Sequence, residues 1–235
     1  MLPDNTRLIC NLPAYHDVRS VIREIYGLNV YELLFKPKRG YKVVDIGAHV
    51  GVYALKVARQ IDTEGLLVAV EPEPDNYKLL VKNVRINNAK NIIPLKLAIS
   101  NRDGRLKLYK SLNSSLSHSI MFHVSEEWIE TDTITLDGLL SKLGINHVDL
   151  VKIDAEGSEI DILRGAKKLL ANSGVKIVIA TYHTPTQARD IKRYLKAVDF
   201  NVKLMKASLP FGIRKKETTY LYAWRDEFAT KTPIS

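Results

Sequence analysis

Three carboxylates and a histidine stand where short apolar runs stop. Asp45 lies in Val43–Ile46, Glu71 follows Leu66–Val70, Asp154 follows Val148–Ile153, and His183 follows Val175–Ala180 by two residues. After Asp45 comes Gly47-Ala48-His49-Val50-Gly51, then a helical pattern at Val52, Leu55, Val57 and Ala58. Glycines at 47 and 51 let the backbone pass close to a ligand with no Cβ in the way. The turn lacks the full G-x-G-x-x-G of a dinucleotide site, and no Gly-Lys-Ser/Thr follows to cradle phosphates. An acid with fewer glycines suits a nucleotide cofactor without a pyrophosphate, of which S-adenosylmethionine (SAM) is the commonest. Glu71, roughly 20 residues further on at a strand end, is placed to accept hydrogen bonds from both ribose hydroxyls. A turn-forming role for Asp45 and a solvated strand end for Glu71 are the bland alternatives.

The elements that must position these residues alternate along the chain. Strand 41–46 leads to helix 51–60, strand 66–71 to helix 74–88 opened by Pro74, and strand 92–98 follows. Asn101-Arg102-Asp103-Gly104 is a turn signal, and Leu106–Tyr109 alternates like a strand. Residues 111–131 are serine-rich and read as an irregular loop. Asp137 is a candidate cap for helix 138–143. Strand 148–153 leads to helix 158–171, strand 175–180 to helix 185–197, and 200–205 with 218–224 form two closing strands around a basic loop. Such alternation predicts a parallel sheet, and two consecutive strands at the end predict one reversed strand. Ligands of such sheets bind outside the carboxyl ends of the strands. Asp45, Glu71, Ala98, Asp154 and His183 all fall there, which argues for one site.

With 235 residues and 46% hydrophobic content, one α/β domain with a decorated N-terminus is expected. Residues 1–40 read as a helical extension, with two helices separated by Gly27, and 41–235 as the main domain. No apolar run reaches membrane-spanning length and the first residues do not resemble a signal peptide, so a cytoplasmic protein with no membrane partner is expected. The Asn113-Ser114-Ser115 sequon is discounted on the same ground. The single cysteine, Cys10, excludes an internal disulfide and a cysteine zinc cluster, and it argues against chemistry that needs a thiol beside the cofactor. Net charge is +9. Arg189, Lys192, Arg193 and Lys196 share one helix face opposite Ile191, Leu195 and Val198. That face reads either as a phosphate-tracking stripe or as a solvated helix surface.

The chain resembles the FkbM-type SAM-dependent methyltransferases. The resemblance rests on Val44–Gly51, Val70-Glu71-Pro72, Ala98-Ile99-Ser100 with Asp103-Gly104, Thr135-Leu136-Asp137, and above all Val151–Glu159 (VKIDAEGSE) with Leu163-Arg164-Gly165-Ala166 behind it. It implies a class I methyltransferase fold: a Rossmann-like, seven-stranded, mostly parallel sheet with its last strand antiparallel and helices on both faces. It implies SAM as cofactor and an oxygen acceptor. The match departs after the fifth strand, where family members often carry Glu and this chain has Thr181-Tyr182-His183. On this reading Asp45, Gly47, Ala48, His49 and Gly51 hold the amino-acid end of SAM, and Glu71 with Pro72 the ribose. Ala98 to Ser100 flank the adenine, and Asp154 and Glu156 face the methyl group and acceptor. One of these two, or His183, is the candidate general base. Glu159 reads as a helix N-terminal acid favoured by the dipole. Asp154 and Glu156 supply only two oxygen ligands and no Asp or Asn follows the fifth strand, so no metal is expected.

The acceptor stays open between classes. The charge excess favours RNA, ribosomal or transfer, methylated on O or N, with Tyr182 stacking on an extruded base and Arg189, Lys192, Arg193 and Lys196 along the phosphates. The alternative is a sugar or other small hydroxyl compound. A third reading is a nucleotide-binding module without catalysis. The oligomeric state is not legible.

Overall fold

In a computed structural model of the chain, the described residues are 1–11, 15–109, 127–171, 174–211 and 214–225. They form strands β1 (Lys42–Ile46), β2 (Leu66–Val70), β3 (Ile92–Leu95), β4 (Ala98–Ser100), β5 (Gly104–Tyr109), β6 (Trp128–Thr135), β7 (Leu150–Ile153), β8 (Lys176–Ala180), β9 (Asn201–Phe211) and β10 (Arg214–Trp224). The α-helices are α1 (Tyr15–Ile22), α2 (Val52–Ile61), α3 (Pro74–Ile86), α4 (Leu136–Lys142), α5 (Glu159–Arg164), α6 (Lys167–Ala171) and α7 (Gln187–Ala197), and a π-helical turn, Arg23–Gly27, continues α1.

Seven strands make one sheet in the order β3-β2-β1-β7-β8-β10-β9. Its pairs are parallel except those of β10, which runs antiparallel to both neighbours. Helices cover both faces, which is why β1, β2, β7 and β8 read as nearly continuous apolar runs. Alternate side chains serve the two layers. Val43, Leu67 and Val178 pack with the N-terminal segment, α2 and α3, while Val44, Val68 and Ile177 pack with α4 to α7. This is the class I methyltransferase fold expected. No helix among the described residues is long and apolar enough to cross a membrane.

The differences from the expected elements have tertiary causes. The expected strand 92–98 breaks after Leu95, and Ala98–Ser100 joins a second sheet, β4-β6-β5. Part of the expected loop 111–131 is strand: β6 starts at Trp128 and pairs antiparallel with β5, while 110–126 lie outside the described residues. The expected helix 158–171 is two helices, α5 and α6, parted at Gly165, which abuts the Ser100 backbone so closely that a Cβ there would sit 2.1 Å from the Ser100 carbonyl oxygen. Thr135, not Asp137, caps α4, its hydroxyl accepting from Gly138 N at 3.1 Å. Asp137 instead accepts from Lys168 and Leu169 N–H (2.7 and 3.0 Å) at the start of α6. The basic loop expected between the closing strands is continuous ribbon up to the pairing of Phe211 with Arg214.

After Gly27 no second helix forms, and 28–41 run as turns and bends. This stretch is fixed from the far end of the chain: the Tyr222 hydroxyl donates to the Val30 carbonyl and accepts from Leu33 N (3.2 Å). Tyr31 packs edge-on against Tyr53 and Tyr220, with ring centres 5.2 and 5.4 Å away.

Candidate active site

The turn after β1 is pinned to its neighbours by backbone. Gly47 N and Ala48 N both donate to the Val70 carbonyl at 3.0 Å, and Asp154 N donates to the Ile46 carbonyl at 3.0 Å. Gly47 has φ +77°, and a Cβ on it would lie 1.8 Å from the Asp154 carbonyl oxygen. Gly51 has φ +92°, and its Cβ would meet Leu80 Cδ1 at 2.7 Å. The expected close approach of these glycines is therefore to the protein's own β7 end and α3. His49 also sits at positive φ (51°) and turns its N–H onto Glu71 Oε2 at 2.8 Å. The other Glu71 oxygen accepts from Glu73 N at 3.0 Å, and Glu73 caps α3 through Asp75 N and Asn76 N. Glu71 thus ties the glycine turn to the start of α3. Burial pushes its carboxyl up to about 7, against the pull of these backbone hydrogen bonds.

Asp45 pairs with Lys152, its neighbour across the parallel β1–β7 ladder, at 3.0 Å. Their side chains are 0% and 4% exposed. Lys152 Nζ also donates to the Gly47 carbonyl at 2.7 Å. Burial alone would lower the lysine, but Asp45 and Asp154 outweigh it and hold the ammonium charged above its ordinary value. Burial pushes Asp45 up and Lys152 pulls it back.

At the ends of β7 and β8, three acids surround one imidazole. His183 Nε2 lies 3.3 Å from Asp154 Oδ1 and 3.5 Å from Glu156 Oε1, and Nδ1 lies 3.2 Å from Glu159 Oε1. Tyr31 donates to the other Asp154 oxygen at 2.6 Å. Glu159 is fully buried; it accepts from Ala155 N (3.0 Å), Gly157 N (3.3 Å) and the Gln187 side chain, while Gln187 Oε1 accepts from His183 N at 3.0 Å. Glu159 therefore organises the Asp-Ala-Glu-Gly turn, more than a dipole-favoured acid would. Burial opposes charge on Asp154, but His183 and Lys152 overcome it and hold the carboxyl well below the usual range. Burial raises Glu156 above its ordinary value despite His183. Against its own burial, the three acids push His183 up to about 12. These acids favour the charged form of the imidazole.

One cavity joins these parts, about 920 Å³ measured out to its open mouth. Of the expected residues, Gly47, Ala48, His49, Glu71, Pro72, Ala98, Asp154 and Glu156 line it. Among the described residues, Asp45, Gly51, Ser100, Tyr182 and His183 do not form its wall: Asp45 faces Lys152, Ser100 abuts Gly165, and His183 sits behind Asp154 and Glu156. Tyr182 packs on His183 and Tyr220, with ring centres 4.6 and 5.7 Å away, rather than presenting a free stacking face. Arg189, Lys192, Arg193 and Lys196 are exposed on α7, and none lines the cavity.

The wall also contains residues the sequence reading missed. Lys152 carried a signal, a lone cation in an otherwise largely apolar strand. Tyr31, Glu24 and Ile25 come from the segment before β1, whose amphipathic pattern suits it to cover one edge of the cofactor site but gives none of the three a role. The expectation of an incomplete metal ligand set also changes: ligand atoms of Asp154, Glu156 and His183 all lie within 4.8 Å of one another, with His183 in the position after the fifth parallel strand that had seemed vacant.

The cavity fits a nucleotide cofactor with a carboxylate at one end and apolar wall at Leu97, Ala98, Ile99 and Leu108. The Ser158 hydroxyl on its wall is buried without a hydrogen-bond partner among the described residues.

Comparison with known proteins agrees with this geometry. Hexuronic acid methyltransferase AglP of Haloferax volcanii is 25% identical over 188 residues, 79% of this chain and 74% of that protein. The 2-O-methyltransferase NoeI of Sinorhizobium fredii is 28% identical over 160 residues, 61% of this chain and 64% of that protein. The crystal structure of methyltransferase FkbM from Methylobacillus flagellatus superposes with a TM-score of 0.61 at 18% identity, covering 91% of this chain and 56% of that one. The family model described as the methyltransferase FkbM domain matches residues 45–202, from the buried acid of β1 to the start of β9. The chain is a methyltransferase and belongs to the FkbM family.

Proposed function

We propose that this chain transfers the methyl group of SAM to a hydroxyl of a sugar or similar small polyhydroxyl compound. The observation that carries the reading is the single cavity running from Glu71 to Asp154 and Glu156, walled by Tyr31 and Tyr53. Glu71 would accept from the ribose, Leu97 to Ile99 and Leu108 would flank the adenine, and the Gly47-Ala48-His49 turn would hold the amino-acid end. SAM supplies an electrophilic methyl group on sulfonium. The chain's own task is to align an acceptor oxygen in line with it and to receive the hydroxyl proton; alignment supplies much of the acceleration. Asp154, engaged by Tyr31 and His183, orients the acceptor, and Glu156 takes the proton.

The name of AglP, a hexuronic acid methyltransferase, favours a carbohydrate, the name of NoeI, a 2-O-methyltransferase, favours an oxygen acceptor, and none of the α7 cations lines the cavity. The RNA reading is therefore set aside for the alternative. The test is transfer of radiolabelled methyl from SAM into a panel of sugars and uronic acids, with total RNA alongside and Glu156→Gln as control. Label in a carbohydrate, lost in the variant, supports the reading. Label confined to RNA overturns it.

A further inference from the structure

We propose that Asp154, Glu156 and His183 form a binding site for a divalent cation of mixed nitrogen and oxygen preference, with open positions facing the cavity for two oxygens of a vicinal diol. The inference deepens the hydroxyl-methylation reading and rests on it only for the identity of the substrate oxygens.

The arrangement around the imidazole is what a ligating histidine requires. Such a residue turns one ring nitrogen to the ion and gives its other N–H to a carboxylate or carbonyl that fixes the ring. Here Nδ1 faces the fully buried Glu159 at 3.2 Å, and Nε2 faces Asp154 and Glu156 at 3.3 and 3.5 Å. Glu159 is itself held by two backbone N–H groups and Gln187, so the ring's orientation is built from below.

A second observation points to a ligand. The His183 side chain is only 5% exposed, yet neither ring nitrogen makes a hydrogen bond of acceptable geometry, and Asp154 Oδ1 is buried in the same condition. His183 Nε2 and Asp154 Oδ1, from two strand ends, thus converge at 3.3 Å without satisfying one another, which buried groups seldom do unless something else binds them. Three carboxylates lie within 3.5 Å of this one imidazole, so a divalent ion among them eases their mutual repulsion.

One imidazole and two carboxylates suit manganese, zinc or ferrous iron better than calcium, which takes oxygen ligands. Asp154 and Glu156 are on the cavity wall and His183 is behind them, so the unfilled coordination positions face the acceptor side. A cation there makes a coordinated hydroxyl more acidic and fixes a neighbouring hydroxyl as well. Glu156, bound through one oxygen, keeps the other for the departing proton. As the methyl carbon leaves sulfur and bonds to the acceptor oxygen, the sulfonium becomes a neutral thioether and the proton rests on Glu156.

The experiment is titration of Mn(II) into the full chain, stripped with a chelator, followed by EPR. About one equivalent should bind, and the pulsed spectrum should carry nitrogen modulation from a coordinated imidazole. Glu156→Gln and His183→Ala should each weaken binding at least tenfold, and His183→Ala should remove the modulation. Glu156, whose side chain is more exposed than that of His183, serves if the His183 variant fails to fold. Absence of Mn(II) and Zn(II) binding at millimolar concentrations, or binding without nitrogen modulation, overturns the site. Methyl transfer to carbohydrate by metal-stripped protein would overturn it too while leaving the substrate reading intact. Bound Mn(II) with transfer only to RNA would do the reverse.

Discussion

Lys152→Met replaces the buried ammonium with an apolar side chain of similar length and strands Asp45. In the native protein the two charges are 3.0 Å apart, with side chains 4% and 0% exposed. At an effective dielectric constant near 20, that separation corresponds to an attraction of about 5 kcal/mol before the cost of taking the charges out of water. Removing one partner of such a pair costs about 3 to 5 kcal/mol, because the remaining charge must be neutralised or hydrated in place. That is a large part of the 5 to 15 kcal/mol typical of a domain. Urea unfolding followed by far-UV circular dichroism at pH 7, without SAM, should show this loss. The deficit should shrink as pH falls. Without its lysine, Asp45 is pushed further up by burial, so its folded pKa stands above the unfolded one, and the native state regains stability as the carboxyl takes up a proton. Asp45→Asn with Lys152→Met should recover much of the loss. A loss below about 1 kcal/mol for Lys152→Met at pH 7, or a double variant no more stable than the single, would refute the reasoning.

Gly165→Ala puts a Cβ within 2.1 Å of the Ser100 carbonyl oxygen, so backbone must move; a loss of about 3 kcal/mol is expected in thermal melts, and an unchanged melting temperature would contradict the contact. Glu71, pushed up to about 7, costs the native state stability as pH rises from the unfolded carboxylate range through 7, and ribose hydroxyls would return part of that cost by donating to the ionised form. The stabilisation conferred by saturating SAM should therefore be larger at pH 8 than at pH 6, and Glu71→Gln should flatten the difference, as read by thermal shift. Reversing the exposed cations of α7 together (Arg189, Lys192, Arg193 and Lys196 to Glu) should leave SAM affinity within about twofold by calorimetry, since surface changes away from a site cost little; a tenfold loss would place that face in the cofactor site.

The parallel strands and their terminal acids were legible because each is a local pattern: an apolar run, a turn, an acid. Val70-Glu71-Pro72 and Val151–Asp154 announce strand ends whatever else the chain does. What could not be read depends on register and on distant backbone. Asp45 looked like a cofactor contact because nothing local says that Lys152 stands opposite it in the ladder. Helix 158–171 looked continuous because the obstacle, the Ser100 carbonyl, comes from a strand more than sixty residues earlier. Two of the family-like segments, Ala98–Ser100 and Leu163–Ala166, turn out to be the two sides of that one contact. In the sequence Glu159 reads as a helix-end acid since its spacing fits that role equally well, and only its bonds to Ala155, Gly157 and Gln187 show the wider one.

The clasp of Tyr222 on Val30 and Leu33 couples the two ends of the chain through the wall of the cavity. Tyr31, which reaches Asp154, lies between those two anchor points and against Tyr220. On the ribosome the glycine turn, Glu71 and Asp154 all emerge well before β10 does, so a nascent chain holds most of the cavity wall before Tyr222 can fix the segment that carries Tyr31. The order of synthesis therefore makes the seating of Tyr31 a late step in building the pocket. A chain stopped short of Tyr220 would keep five parallel strands yet lack the latch, and would be recognised by its failure to retain cofactor rather than by loss of its sheet.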